Sequence, residues 1–315
     1  MLKKIITALS VMLFAVLLGT VSYANSDGPK ITSPSLYSEH KIGATLEIVW
    51  SAPPSQYGTV DHYVIAVRGF DTYEDVTKSN TGGIIINNAN SSASIQRYEV
   101  SGYYMANCWK NNLYTKYRIS VCAVMTDGKK RWSDHVYFYT AAHNTPVDKP
   151  ISFHIYNGFS QETKDQIYYA CQLWNNTLNI GREIVNTYPY SMGTDLTEKN
   201  IKDGVNIVTK RYVESKAAMI TYVERRNSDY EIVDYKLVES DIIINSKYSW
   251  SNTPQSNKMY VYDCIVHEIG HVVGLIDKLD SWAENWTMYG KSGYGDAKRV
   301  TLKQQDILNG QSLYK

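Results

Sequence analysis

The chain has almost no excess charge of either sign: among 315 residues, 32 Lys and Arg stand against 31 Asp and Glu. Without a basic excess or stripe to neutralise phosphates, nucleic acid is excluded as a partner class. Cysteine is scarce, at four residues. None lies near Ala24, so no lipid anchor is expected there. Two fall in each half of the chain (Cys108 and Cys122, Cys171 and Cys264), which permits three pairings or free buried thiols. A basic stop-transfer cluster is also missing after the apolar run Ile5 to Leu18, which follows Lys3 and Lys4 and ends in Ser22-Tyr23-Ala24. Residues 1–24 therefore read as a cleaved signal peptide, leaving a secreted, extracellular chain with no membrane span. The alternative is an uncleaved anchor, because the uncharged stretch to Ser26 approaches the ~20 residues a bilayer needs. Cleavage removes two of the 32 basic side chains, leaving 30 against 31 acidic.

Alternating apolar and polar residues dominate from 29 to 142, and Ala44 to Trp50, Val60 to Val67, Tyr114 to Val124 and Trp132 to Thr140 predict half-buried strands of a β-sandwich. Asp71 to Ser92 reads as a connection, with a short strand at Gly83 to Ile86. A polar, proline-bearing joint at 143–149 predicts a boundary between halves that fold independently. From 150 to 315 the pattern mixes periods. Ile151 to Tyr156, Val205 to Val208 and Ala217 to Val223 predict strands, and Glu239 to Asn245 an edge strand. Ser160 caps a helix whose apolar face is Ile167, Ala170, Cys171, Trp174 and Leu178, and Tyr260 to Gly274 predicts a second helix.

Chemistry concentrates in His267-Glu268-Ile269-Gly270-His271-Val272-Val273-Gly274-Leu275-Ile276-Asp277. Residues four apart on a helix share a face, so His267 and His271 can reach one metal ion, and Glu268 stands beside a water on that ion. Catalytic zinc takes three protein ligands and leaves one position open. Gly274 lets the chain turn back at the helix end, which brings Asp277 to the place of a third ligand, with Asp280 as the fallback. His40, His62, His135, His143 and His154 show no ligand spacing.

Downstream Trp286-Thr287-Met288-Tyr289 completes a pattern that resembles the metzincin metalloproteases, in which a methionine turn lies beneath the zinc. Met288 is then the turn methionine rather than ordinary core filler, and Tyr289 either stabilises an oxyanion or packs. Glu239-Ser240-Asp241-Ile242-Ile243-Ile244-Asn245 and the segment from Leu302 to Tyr314 are similar to parts of the matrixin branch. Aspartate in place of the usual third histidine is similar to the snapalysin-like metzincins. With no histidine between His154 and His267, the second zinc of vertebrate matrixins has no evident ligands, and one zinc is expected. The Pro-Arg-Cys-Gly latency segment is absent. Trp50 with Pro53, Tyr63, the run Thr115 to Ala123 and Trp132-Ser133 resemble fibronectin type III domains, with Tyr117 as the corner tyrosine.

The resemblance implies an all-β fibronectin III-like sandwich followed by an α+β metzincin zinc-protease domain, with a mixed twisted sheet and an active-site helix. It further implies a secreted zinc metalloendopeptidase acting on a protein or peptide substrate. His267, His271 and Asp277 are the ligands, Glu268 the base, and Gly274, Met288 and Tyr289 the support. An extracellular polymer or surface is the further partner class open to the sandwich. A calcium site within 229–241 is left open, no loop there having defined ligand spacing. The alternatives are an adhesion protein whose zinc half is inactive or structural, and a zinc hydrolase of non-protein substrates.

Overall fold

Strands that alternate between core and solvent build the first half. In the computed structural model, residues 27–41, 44–71, 84–88, 94–100, 115–140, 149–188, 203–226 and 236–314 are described. The expected signal peptide, Cys108 and most of the 143–149 joint lie outside them. Strand β1 (Lys30–Ser33) pairs with β3 (Leu46–Ser51), and β3 with β6 (Ile95–Val100). The facing sheet runs β2 (Glu39–His40), β9 (Val136–Thr140), β7 (Thr115–Met125), β4 (Val60–Asp71), β5 (Ile84–Asn88), with β8 (Lys130–Trp132) also on β7. Leu46, Ile48 and Trp50 of β3 meet Tyr63, Ile65, Ile119 and Val121 of the facing sheet in one buried cluster. Trp50 and Tyr63 meet edge to face at 5.4 Å, and Tyr117 stacks on Phe138 at 4.9 Å. The single strand expected from Trp132 to Thr140 is two strands: the Ser133 side chain accepts the Val121 N–H (2.9 Å) where the ladder would have continued.

In the second half, β10 (Ile151–Ile155), β11 (Val185–Thr187), β12 (Ile207–Arg211), β13 (Met219–Arg226) and β14 (Lys236–Asn245) form a mixed sheet in the order β11-β10-β12-β14-β13. All neighbours are parallel except β13, which runs antiparallel to β14. Helix α1 (Gln161–Leu178) is capped by Ser160 and buries the apolar face read from its spacing. A parallel two-strand bridge, β15 (Trp250–Ser251) with β16 (Met259–Tyr260), leads into α2 (Val261–Val273), which packs on α1. Helix α3 (Gln304–Leu313) closes the half.

One strand assignment needs correction: the Glu239 to Asn245 segment is interior, and β13 ends the sheet among the described residues. Successive Ile242, Ile243 and Ile244 are all buried, which an edge strand with one wet face does not require but a strand covered on both faces does. Of the alternatives the cysteines leave open, pairing of Cys171 with Cys264 is not formed: both are free buried thiols, as is Cys122. Burial pushes both Cys171 and Cys264 up to about 12, which keeps them protonated and inert. No helix among the described residues is long and apolar enough to cross a membrane.

The halves meet through a built interface. Glu39 of β2 pairs with Lys278, both at most 1% exposed, and Asp280 takes bonds from Lys116 (2.9 Å) and the Tyr139 hydroxyl (3.1 Å). Tyr37 stacks on Trp282 at 3.7 Å, and Ser312 of α3 donates to the Glu39 carbonyl at 2.8 Å. These contacts change what is expected of an isolated second half, because a face carrying Ile276, Lys278 and Trp282 would be opened to water.

Candidate metal centre

The site starts from helix α2, whose residues are apolar on nearly every side because the helix is buried. At its C-terminus Gly274 adopts φ 113° and donates to the carbonyls of Gly270 and His271, a left-handed cap that a side chain would strain. The chain then folds back, and ligand atoms of His267, His271 and Asp277 come within 4.8 Å of one another. This is the one such group among the described residues.

Each imidazole is oriented from behind. Nδ1 of His267 donates to the Thr287 carbonyl (2.8 Å) and Nδ1 of His271 to the Leu275 carbonyl (2.9 Å); a carbonyl only accepts, so Nδ1 carries the proton and Nε2 is turned inward. The two Nε2 atoms lie 3.0 and 3.4 Å from Oδ1 of Asp277. With neutral rings, that oxygen is buried without a donor. Burial opposes charge on Asp277, but His271 and His267 beside it outweigh burial and hold the carboxyl well below its usual range. Burial likewise lowers His271, yet the Asp277 charge prevails and pushes it up to about 9. The carboxylate is thus held charged between the two imidazoles. Two imidazole nitrogens and a carboxylate oxygen fit zinc's preference for N and O donors and make three ligands of the four it takes.

Glu268 is buried beside His267, and its Oε2 accepts a 2.6 Å bond from the Thr221 hydroxyl of β13. Both Glu268 and His267 open on a cleft of about 300 Å³ lined also by Ala218, Met219, Met259 and Arg299. Met288 is buried under α2: a Cβ on Gly270 would come 2.2 Å from its sulfur and 2.9 Å from the Trp174 ring. Tyr289 is half-buried, and its backbone bridges Lys278. Asp280, the fallback ligand, lies on the interface instead, bound to Lys116 and Tyr139.

Several supporting residues carry no signal in spacing. Thr221 is 47 positions from Glu268, and Asp306, which accepts the Thr287 N–H at 2.7 Å, acts on the turn from α3. Gly290 lets the backbone pass Asp277, a Cβ there standing 3.0 Å from its carboxylate. Of the region held open for calcium, 229–235 lies outside the described residues. Glu239 and Asp241 give carboxylate oxygens to the backbone N–H groups of Asp203, Gly204 and Ile207.

No family model and no curated protein matches the chain. Among solved structures it is similar to fibronectin(III)-like modules of Clostridium thermocellum CbhA, at 13% identity over 36% of this chain and 93% of that one, TM-score 0.24. The soluble domain of PmoD from Methylocystis sp. matches at 12% identity over 38% and 94%, TM-score 0.25. A cohesin module from a Clostridium perfringens family 33 glycoside hydrolase matches at 8% over 36% and 97%, TM-score 0.21. TM-scores this low assign neither fold nor function. What the structure establishes directly, among the described residues, is a β-rich chain with two large cores and a small apolar cluster of Tyr139 and Ile276.

Proposed function

We propose that this chain is a secreted zinc-dependent endopeptidase of matrixin-like metzincin type, with His267, His271 and Asp277 as the metal ligands and Glu268 as general base. The observation that carries this reading is the convergence of two inward Nε2 atoms on one Asp277 oxygen, at 3.0 and 3.4 Å, with a buried carboxylate next to them. When bound, zinc would polarise the scissile carbonyl and lower the pKa of the attacking water. Glu268, anchored at one oxygen by Thr221, takes the proton of that water and passes it to the leaving amine nitrogen. Three protein ligands among the described residues, where a structural zinc has four, weigh against the inactive, adhesive reading.

A peptide substrate is favoured by β13. It ends the sheet among the described residues, and its Thr221 touches the base; an extended peptide can add to such an edge through main-chain hydrogen bonds. The cleft beside Glu268 is lined by Ala218, Met219 and Met259 together with Lys216, Lys291 and Arg299, which suits an apolar or acidic side chain next to the scissile bond. The test is metal analysis and cleavage of a mixed-peptide library by residues 25–315. Stoichiometric zinc with chelator-sensitive endoproteolysis is expected, and a zinc-loaded protein that cleaves no peptide would overturn the reading.

A further inference from the structure

The segment that carries Asp277 is gripped from two sides. On one, the Lys278 N–H donates to the Met288 carbonyl (2.7 Å) and the Gly290 N–H to the Lys278 carbonyl (3.0 Å), which ties it to the methionine turn. The other grip comes from the N-terminal module and falls on alternate residues. Ile276 packs with Tyr139 and Tyr37. Lys278 pairs with Glu39 and lies 4.1 Å from the Tyr139 ring centre. Asp280 receives Lys116 and the Tyr139 hydroxyl. Neighbouring side chains of an extended segment point to opposite faces, so anchoring 276, 278 and 280 on the module turns Asp277 toward the histidines.

A ligand on a loop is free to drift unless something outside the loop fixes it, and a metal centre tolerates about 0.5 Å of drift. Burying an ammonium and a carboxylate is costly, and an apolar pair of similar volume is often as stable. The Lys278–Glu39 pair stands one residue from a ligand, where directional contacts serve geometry better than grease. We infer that the N-terminal β-module is a positioning element of the metal centre, in which Glu39, Lys116 and Tyr139 hold Ile276 to Asp280 so that Asp277 completes the ligand set; this rests on Asp277 being a ligand.

The test uses the full secreted chain carrying Glu39→Gln, Lys116→Met, Asp277→Ala or, as a control in the same module, Arg97→Gln, which breaks only the exposed pair with Glu47. Zinc affinity is measured by competition with a chromophoric chelator, below the melting temperature of each variant. Backbone hydrogen exchange across residues 276–290 is measured on the metal-free proteins. Glu39→Gln and Lys116→Met are expected to bind zinc about 10- to 100-fold more weakly and to exchange faster in that segment, with Arg97→Gln unchanged. Should Glu39→Gln not fold, Lys116→Met decides, because its partner Asp280 keeps 34% of its side chain exposed and can be hydrated when the lysine is lost. Wild-type affinity and exchange in the module variants, alongside loss of zinc in Asp277→Ala, would overturn the inference and leave the metal centre standing. Wild-type affinity in Asp277→Ala would instead remove the ligand assignment, and the inference with it.

Discussion

Glu268 and Asp277 carry the sharpest expectations at the residue scale. Glu268→Gln should keep one zinc per chain while turnover falls by at least ~10², the lower range for a general base; metal analysis alongside peptide cleavage checks both halves. Thr221→Val, which removes the 2.6 Å donor to Glu268, should cost about tenfold in turnover with zinc retained. Asp277→Ala should lose zinc on mild dialysis, whereas Asp280→Ala, which loses only the interface contacts to Lys116 and Tyr139, should bind more weakly, by no more than about 100-fold, and still load stoichiometrically at saturating zinc. Proton competition gives the sign of the pH effect. Because the Asp277 charge outweighs burial and pushes His271 up to about 9, zinc must displace a proton below that pH. Zinc affinity should therefore weaken about tenfold per pH unit as pH falls below 9, and a flat profile would count against the His271–Asp277 arrangement. His267, Glu268 and His271 were legible because a helix converts a spacing of four into one face. Thr221, Gly290 and Asp306 were not, since contacts across the fold leave no period in the sequence.

Elements set how far each side chain can move. Gly270 lies where α2 crosses Met288 and Trp174, and a methyl there meets sulfur at 2.2 Å. Gly270→Ala should destabilise by about 1–3 kcal/mol through overpacking, and calorimetry on the full chain would show it. Strand β14 carries a pH-sensitive group: burial, then the charge of Glu239, pushes Asp241 up to about 8 from 3.8. The folded chain thus keeps a proton that the unfolded chain has released, and Asp241 subtracts stability progressively as pH rises from about 4 to about 8. The melting-temperature advantage of Asp241→Asn over wild type should grow across that window and level off above it. Strand identity was readable from alternation in β4 and β7. The rank of β14 within its sheet was not, because an apolar run states burial on two faces only once its neighbours are known.

At the scale of the whole molecule, the buried Glu39–Lys278 pair separates two kinds of change. Glu39→Gln leaves an ammonium buried without its counter-charge and should cost about 3–5 kcal/mol, while Glu39→Met with Lys278→Met should be neutral or even stabilising; urea titration of the full chain distinguishes them. Residues 148–315 alone rehydrate Lys278, so they escape that charge penalty but expose the Ile276 and Trp282 face. A lower melting temperature and self-association are expected of that fragment, and light scattering would report the second.

The sequence by itself determined the alternating strands of the first half, the helical face of α1, and the placement of two histidines and a carboxylate on α2. Each depends on the local period of the backbone, which a linear pattern records. Only the tertiary structure decided that Asp280, the fallback, goes to the interface instead of the histidines, that β13 and not β14 ends the sheet among the described residues, and that the first half grips residues 276 to 280 of the second. Those outcomes depend on which surfaces meet, and residues such as Glu39 and Lys278, 239 positions apart, acquire their roles when folding buries them against each other.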